Sequence, residues 1–241
     1  MNILNLPVYY ISFNRKEELE DKLKVLGFTD INHFKAVDGR KFTPEHLMKN
    51  KIITIRAYND LIYNRHEWSG IPSLGAVGCT MSHDKLWEKC VKDNIPYMII
   101  LEDDVDLPEK IEQSDVEQIT KILSKGHSIN LTSLVNPMNS EIFFGTQIYI
   151  ITNKACKELI KDTYPIDVQT DWYMSHKNNT KDINIETYKL AGQKLHKSSI
   201  QNICFKCFLP NTDTFYLILI LLIIAFASYI FYKKYTKRDL V

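Results

Sequence analysis

The sequence carries almost no net charge, +1 from 30 basic and 29 acidic residues. It also lacks a long basic stripe with interleaved aromatics, so no nucleic-acid partner is expected. No GxxxxGK[ST] phosphate loop is present, which removes P-loop chemistry but leaves other metal-dependent phosphoryl transfer open. A disulfide framework is missing too: cysteines 79, 90, 156, 204 and 207 are odd in number and scattered, as buried thiols are. Cys204-Phe205-Lys206-Cys207 is spaced like half a zinc site or a redox pair, without a second CxxC or His pair; just before an apolar span, reversible acylation or no role at all suits it better. No basic n-region precedes Arg15, so the start reads as a first strand and not as a secretory leader. Internal repeats and low-complexity tracts are absent.

What is there is ordinary globular composition, 45% hydrophobic and 24% charged over 241 residues, enough for one sizeable core. The exception is Phe215 to Tyr232 (FYLILILLIIAFASYIFY), which holds no charge, Pro or Gly and has aromatic borders. It reads as a membrane span at the short end of the usual range of about 17–25 residues. The predicted organisation is a catalytic domain at 1–200, a juxtamembrane linker at 201–214, a transmembrane helix at 215–232 and a short basic tail at 233–241. Lys233, Lys234, Lys237 and Arg238 favour a cytosolic C-terminus, whereas a span so close to the end favours a tail anchor that leaves the N-terminal domain cytosolic. The tail anchor, in an endomembrane or host membrane, is preferred.

The chemistry centres on Tyr97-Met98-Ile99-Ile100-Leu101-Glu102-Asp103-Asp104-Val105. A short β-prone apolar run predicts a buried strand, and three carboxylates follow it. In open α/β sheets the ligand crevice lies outside the carboxyl ends of the strands. Acids placed there suit Mg²⁺ or Mn²⁺, which take oxygen ligands and complete their shell with substrate phosphates. The plainer alternative is that they cap a helix or bind water.

Around this strand the pattern alternates. Pro7 to Phe13 predicts a strand, Asn14 an N-cap, Arg15 to Leu26 a helix ended by Gly27, and Ile31 to Ala36 a second strand before the Asp38-Gly39 turn. Thr43-Pro44-Glu45 starts a helix, and Ser73 onward forms a helix closely packed at its small-residue beginning. Ser114-Asp115-Val116-Glu117 has the form of a capping box. Ser128 to Leu134 and Glu141 to Thr152 read as strands, and Asn153 to Lys161 as a helix. This order predicts an α/β fold with a mostly parallel sheet.

Four stretches in this order, Val8 to Arg15, Phe34 to Gly39, Leu74 to His83 and Ile99 to Val105, resemble glycosyltransferase family 25, which includes lipooligosaccharide and procollagen galactosyltransferases. Gly145 to Ile151, Pro165-Ile166-Asp167 and Asp171-Trp172 are similar to the family's later part. The resemblance implies a GT-A type fold, a UDP-sugar donor, inversion at the anomeric carbon, and a glycan, lipid-linked or protein acceptor. By the same analogy Glu102-Asp103-Asp104 takes the place of the DxD motif. Asp104 would bind the Mn²⁺ or Mg²⁺ directly, with Glu102 or Asp103 reaching the donor ribose or a metal-bound water. Asp38 and Arg15 would sit over the nucleotide and diphosphate. Lys16 is followed by Glu17, Glu18 and Glu20, which departs from the family's basic pattern there.

An inverting transfer needs a carboxylate to take the acceptor proton. Asp171, among aromatics in Thr170-Asp171-Trp172-Tyr173, is the candidate base, and Asp167 is the reserve. Ser82 and His83 are assigned to donor binding, since adjacency does not make a catalytic triad; a structural histidine is the alternative for His83. A non-catalytic membrane-anchored binding protein that keeps the fold is the rival class.

Overall fold

A computed structural model describes residues 2–65, 69–132, 134–135, 143–194 and 220–222. In chain order its strands and helices are β1 (Val8–Ser12), α1 (Glu17–Val25), β2 (Ile31–Lys35), α2 (Pro44–Lys49), α3 (Ile55–Tyr63), α4 (Leu74–Lys92), β3 (Tyr97–Glu102), β4 (Val105–Asp106), α5 (Gln113–Ser124), β5 (Ser128–Thr132), β6 (Leu134–Val135), β7 (Phe143–Phe144), β8 (Ile148–Thr152), α6 (Asn153–Asp162), α7 (Thr170–Asn179) and β9 (Ile185–Gln193). The chain divides into two compact units, Met1–Asn202 and Ile203–Val241. All strands among the described residues belong to the first. Among the described residues no helix is long and apolar enough to cross a membrane. The expected span at 215–232 lies outside the described residues except for 220–222, which are helical, and the Cys204/Cys207 pair lies outside them altogether.

Seven strands form one sheet in the order β2-β1-β3-β8-β5-β9-β4, and β6 pairs with β7 apart from it. Pairings β1–β2, β1–β3 and β5–β9 are parallel, while β3–β8, β5–β8 and β4–β9 are antiparallel. The expected mostly parallel sheet is therefore corrected to a mixed one. Its reversal comes from β8, which returns beside β5 after the β6–β7 arm and slots between β5 and β3. The strand expected over residues 141–152 is likewise divided into β7 and β8, with Gly145 at φ +84° between them, a backbone conformation that suits glycine.

Period-two alternation splits the strand side chains between two cores. Val8, Tyr10, Ile99, Leu101, Ile148 and Ile150 point to the face covered by α1 and α5, with Leu19, Leu23, Ile119 and Leu123. Ile11, Met98, Ile100, Tyr149 and Ile151 face α4 and α6, with Leu86, Trp87, Cys156 and Leu159. Each such aliphatic side chain, once buried, contributes about 1.5–3 kcal/mol, which makes β3 with both faces covered the anchor of the fold. A smaller cluster of Leu47, Ile53, Ala57, Ile71 and Val77 joins α2 and α3 to the start of α4.

Local signals are satisfied at several ends. Thr43 caps α2, Thr54 caps α3 and Ser73 caps α4, each accepting from a backbone N–H of the first turn. Two expectations are corrected. α1 starts after Lys16, which makes no side-chain cap, so Asn14 does not cap it. The capping box of α5 is Glu112 with Asp115 and not Ser114 with Glu117, because the helix begins at Gln113.

The turn after β2 presses directly on α4. A Cβ at Gly78 would stand 2.4 Å from Val37 O and 2.6 Å from Gly39 N, and one at Gly39 would meet Leu74 O at 1.9 Å. These neighbours are backbone and cannot step aside. Gly78→Ala should destabilise the domain by about 1–3 kcal/mol, the usual range for overpacking, with a lower denaturant midpoint at unchanged slope. An unaltered midpoint would show that the turn yields freely.

Candidate active site

Strands β1, β2 and β3 end on one edge of the sheet, and β8, running the other way, begins there. The last residue of β3, Glu102, leaves the core at this edge, and Thr146, just ahead of β8, donates to its Oε1 at 2.6 Å. From α4, His83 Nε2 stands 3.4 Å from the same oxygen. Burial pushes the Glu102 carboxyl up, but His83 and the Thr146 hydroxyl outweigh it and hold the group below its ordinary value. Glu102 is thus a carboxylate with its charge kept.

His83 is wholly buried. Its Nδ1 lies 2.7 Å from the Tyr149 hydroxyl, whose oxygen also accepts the Trp87 Nε1–H at 3.0 Å. Its Nε2 has the Glu102 carboxylate at 3.4 Å as its contact and no closer hydrogen-bond partner. Ser82, equally buried, donates to Gly78 O at 2.7 Å and accepts Val37 N–H at 2.9 Å. It fastens the turn after β2 to α4 and offers no surface to a ligand, so the donor-binding role expected for it is replaced by a positioning one.

Asp104 follows in the turn between β3 and β4. Gln193 Nε2, from the end of β9, donates to its Oδ2 at 2.9 Å, while its buried Oδ1 has no partner. Burial, then the charges of Glu102 and Asp103, push its carboxyl up. Asp103 is exposed and lies 3.5 Å from Lys16 Nζ.

Asp171 sits in the first turn of α7. Its Oδ2 accepts the Gly145 N–H at 2.9 Å and its Oδ1 the Trp172 N–H at 2.8 Å. Burial raises its pKa in spite of these bonds, and Glu102 adds to the rise. The left-handed Gly145 is what aims that N–H, and Asn130 Nδ2 holds the Gly145 carbonyl at 2.9 Å. The cap of α7 is Gln169, so Asp171 is not the helix cap.

Cys79, one turn before His83 on α4, reports how these acids converge. Burial, followed by the charges of Glu102, Asp171 and Asp104, pushes its thiol well up. Ligand atoms of Cys79, His83 and Glu102 lie within 4.8 Å of one another. Sequence reasoning passed over this cysteine as a packed thiol; its signal was the four-residue spacing from His83, which places both on one helix face.

Other expected residues stand apart from the cluster. Arg15 is exposed and forms a bidentate pair with Glu20, Nε and Nη2 each at 2.8 Å, and Tyr10 O–H also donates to Glu20. The helix that was expected to turn a cation toward a diphosphate thus holds it by its own glutamate. Asp38 caps the short 3-10 turn Gly39–Lys41 and accepts Arg40 Nε at 2.7 Å, which keeps its carboxyl below the ordinary value. Arg40 in turn lies over the Phe13 ring, 5.0 Å from its centroid. Asp167 binds Arg56 Nη2 at 2.7 Å and the Thr54 hydroxyl, tying α3 to the segment before α7. Burial pushes its carboxyl up, but Arg56 and Thr54 prevail and keep it low, which does not suit a base.

This is a mixed α/β domain that gathers Glu102, Asp104 and Asp171 beyond the carboxyl end of β3, the region where open α/β sheets take their ligands. The sequence comparison narrows this. The model of glycosyltransferase family 25 (LPS biosynthesis protein) matches residues 7–139, more than half of the chain, and the chain belongs to that family. A glycosyltransferase 25 family member of Drosophila melanogaster is 28% identical over 113 residues, 45% of this chain and 18% of that protein. One from Anopheles gambiae is 30% identical over 102 residues, 41% of this chain and 16% of that protein. The lipooligosaccharide biosynthesis protein lex-1 of Haemophilus influenzae is 46% identical over 54 residues, 22% of this chain and 18% of that protein. The chain spans less than a fifth of the length of these curated relatives. The family match takes in Arg15, Asp38, Cys79, His83 and Glu102–Asp104; Asp167 and Asp171 lie beyond it.

Proposed function

We propose that this chain is a divalent-metal-dependent, inverting glycosyltransferase that moves a hexose, galactose or glucose, from a UDP-sugar to a hydroxyl of a glycan, lipid-linked or protein acceptor. The observation that carries the reading is the convergence of three carboxylates in different states at one sheet edge: Glu102 held ionised, Asp104 with an orphaned buried oxygen, and Asp171 raised by burial. Family membership supports it, and so does the position of the cluster beyond the carboxyl end of β3, where open α/β sheets take their ligands.

The residues fit a hard cation. An unpartnered carboxylate oxygen crowded by two further acids is a site that Mn²⁺ or Mg²⁺ relieves, and Asp104 would hold it together with Glu102. Bound there, the cation would neutralise charge on the departing diphosphate. Asp171 acts on the acceptor: its raised pKa makes it a better proton acceptor than an ordinary aspartate, and the two N–H groups fix its orientation. His83, locked by Tyr149 and Trp87, holds Glu102 in place without touching the donor. Membrane anchoring through residues 215–232 completes the proposal.

Incubation with UDP-galactose and UDP-glucose in manganese tests it. Release of UDP supports the reading. Metal-dependent binding without turnover points to the non-catalytic rival, and inorganic phosphate released from a phosphate ester points to phosphoryl transfer.

A further inference from the structure

We propose that Cys79, His83 and Glu102 form a second metal site, selective for a borderline cation such as zinc and distinct in ligand chemistry from the all-oxygen site at Asp104. Three side chains from two elements supply one thiol sulfur, one imidazole nitrogen and one carboxylate oxygen, with their ligand atoms within 4.8 Å of one another. Tetrahedral zinc takes this donor set at about 2.3 Å from sulfur and about 2.0–2.2 Å from nitrogen and oxygen. At such lengths neighbouring nitrogen and oxygen ligands lie about 3.3 Å apart. His83 Nε2 and Glu102 Oε1 stand at 3.4 Å, so two corners of the tetrahedron are already set, and Cys79 needs only a small closing movement.

An independent observation points to a ligand. His83 has no solvent exposure, and its Nε2 faces the Glu102 carboxylate at 3.4 Å without meeting hydrogen-bond geometry. The other ring nitrogen, 2.7 Å from the Tyr149 hydroxyl, can give its proton to that oxygen, which is the outer-shell arrangement a metal-bound imidazole requires. Cys79 and His83 are four apart on α4, so they share a helix face, and the helix is braced by Trp87 against Tyr149. Cys79 and Glu102 are only partly buried, which leaves a way in for the ion. With three protein ligands the fourth position stays open to water or to an incoming oxygen, as in catalytic rather than structural zinc sites. As the metal enters, the Cys79 thiol gives its proton to solvent and the sulfur binds as thiolate. A thiolate disfavours magnesium and calcium by softness, so this site prefers a different class of ion from the Asp104 site, with which it shares Glu102.

The test is cobalt substitution in the full chain carrying Cys204→Ser and Cys207→Ser, which removes the CxxC outside the cluster. Addition of Co²⁺ without any nucleotide sugar should give thiolate-to-cobalt charge-transfer absorption and intense visible bands of a tetrahedral centre at one equivalent, displaced by Zn²⁺. Cys79→Ser should abolish the charge-transfer band, and Glu102→Gln should weaken zinc binding by more than about 100-fold, beyond the cost of losing an outer-shell partner. Far-UV circular dichroism keeps these variants honest as folded proteins. Absence of the band in the parent, or its survival in folded Cys79→Ser, overturns the proposal. Since no donor is present, the result is independent of whether the chain transfers sugar.

Discussion

Asp104→Ala should abolish manganese-dependent UDP-sugar binding while leaving the domain folded, with affinity in calorimetry falling by more than about 100-fold, beyond the about 10–100-fold usual for an outer-shell change. The expectation comes from an imbalance. Asp104 has one oxygen occupied by Gln193 and one buried oxygen with nothing to accept from, in a neighbourhood where Glu102 and Asp103 already oppose its ionisation. A divalent cation converts that repulsion into coordination, and alanine removes the ligand along with the repulsion. Because the excised group is an unsatisfied acid, stability should hold or improve. The bond from Gln193 also links the β3–β4 turn to β9, so a loss of binding by loosening of that link must be separated from the loss of a ligand. Gln193→Leu does so: it deletes the bond and keeps the carboxylate, and it should retain metal-dependent binding. Equal loss in both variants would assign Asp104 to the link and not to the metal.

The parts of the molecule legible in its sequence are those where local pattern and burial agree. β3 announces itself as an apolar run because both faces are covered, by α1 and α5 on one side and α4 and α6 on the other. The helix starts at Thr43 and Ser73 are local signals and were legible for the same reason. β9 was not. Ile185–Gln193 carries glutamate, lysine and glycine, is buried only in part, and becomes a strand because it is paired between β5 and β4, a tertiary event with little local signature. The acids after β3 were legible as a site, but their division of labour was not. Glu102 turns inward to Thr146 and His83, and Asp104 keeps the unpartnered oxygen; both depend on the register of β8 and α4 against β3. Arg15 is paired with Glu20, which the helix geometry brings under it, and the run of glutamates after Lys16 was the visible sign. Cys79 was hidden because a single thiol on a helix looks like packing until its neighbours are placed.

Asp171→Asn should lower the rate of transfer by about 10²–10⁴-fold, the usual share of a general base, mainly in kcat and with donor binding preserved. The substitution is not silent structurally, and the reason is visible in its contacts. Both carboxylate oxygens accept backbone N–H groups, from Gly145 and Trp172, so the amide of asparagine must set its own N–H₂ against one of them. That conflict should lower stability by about 1–3 kcal/mol, which denaturation measures separately from turnover per folded molecule. A second signature concerns pH. Burial raises the Asp171 pKa in the folded protein, so the base is protonated and lost as pH falls through that raised value. The acid limb of kcat should therefore lie above the range of an ordinary aspartate, and it should vanish in Asp171→Asn. Asp167→Asn is the counterpart. It breaks the Arg56 pair and loosens α3, and because Asp167 is neutralised by that partner it should cost stability while leaving kcat near that of the parent. Transfer crippled by Asp167→Asn and untouched by Asp171→Asn would exchange the two roles, and full activity in both would place the base elsewhere.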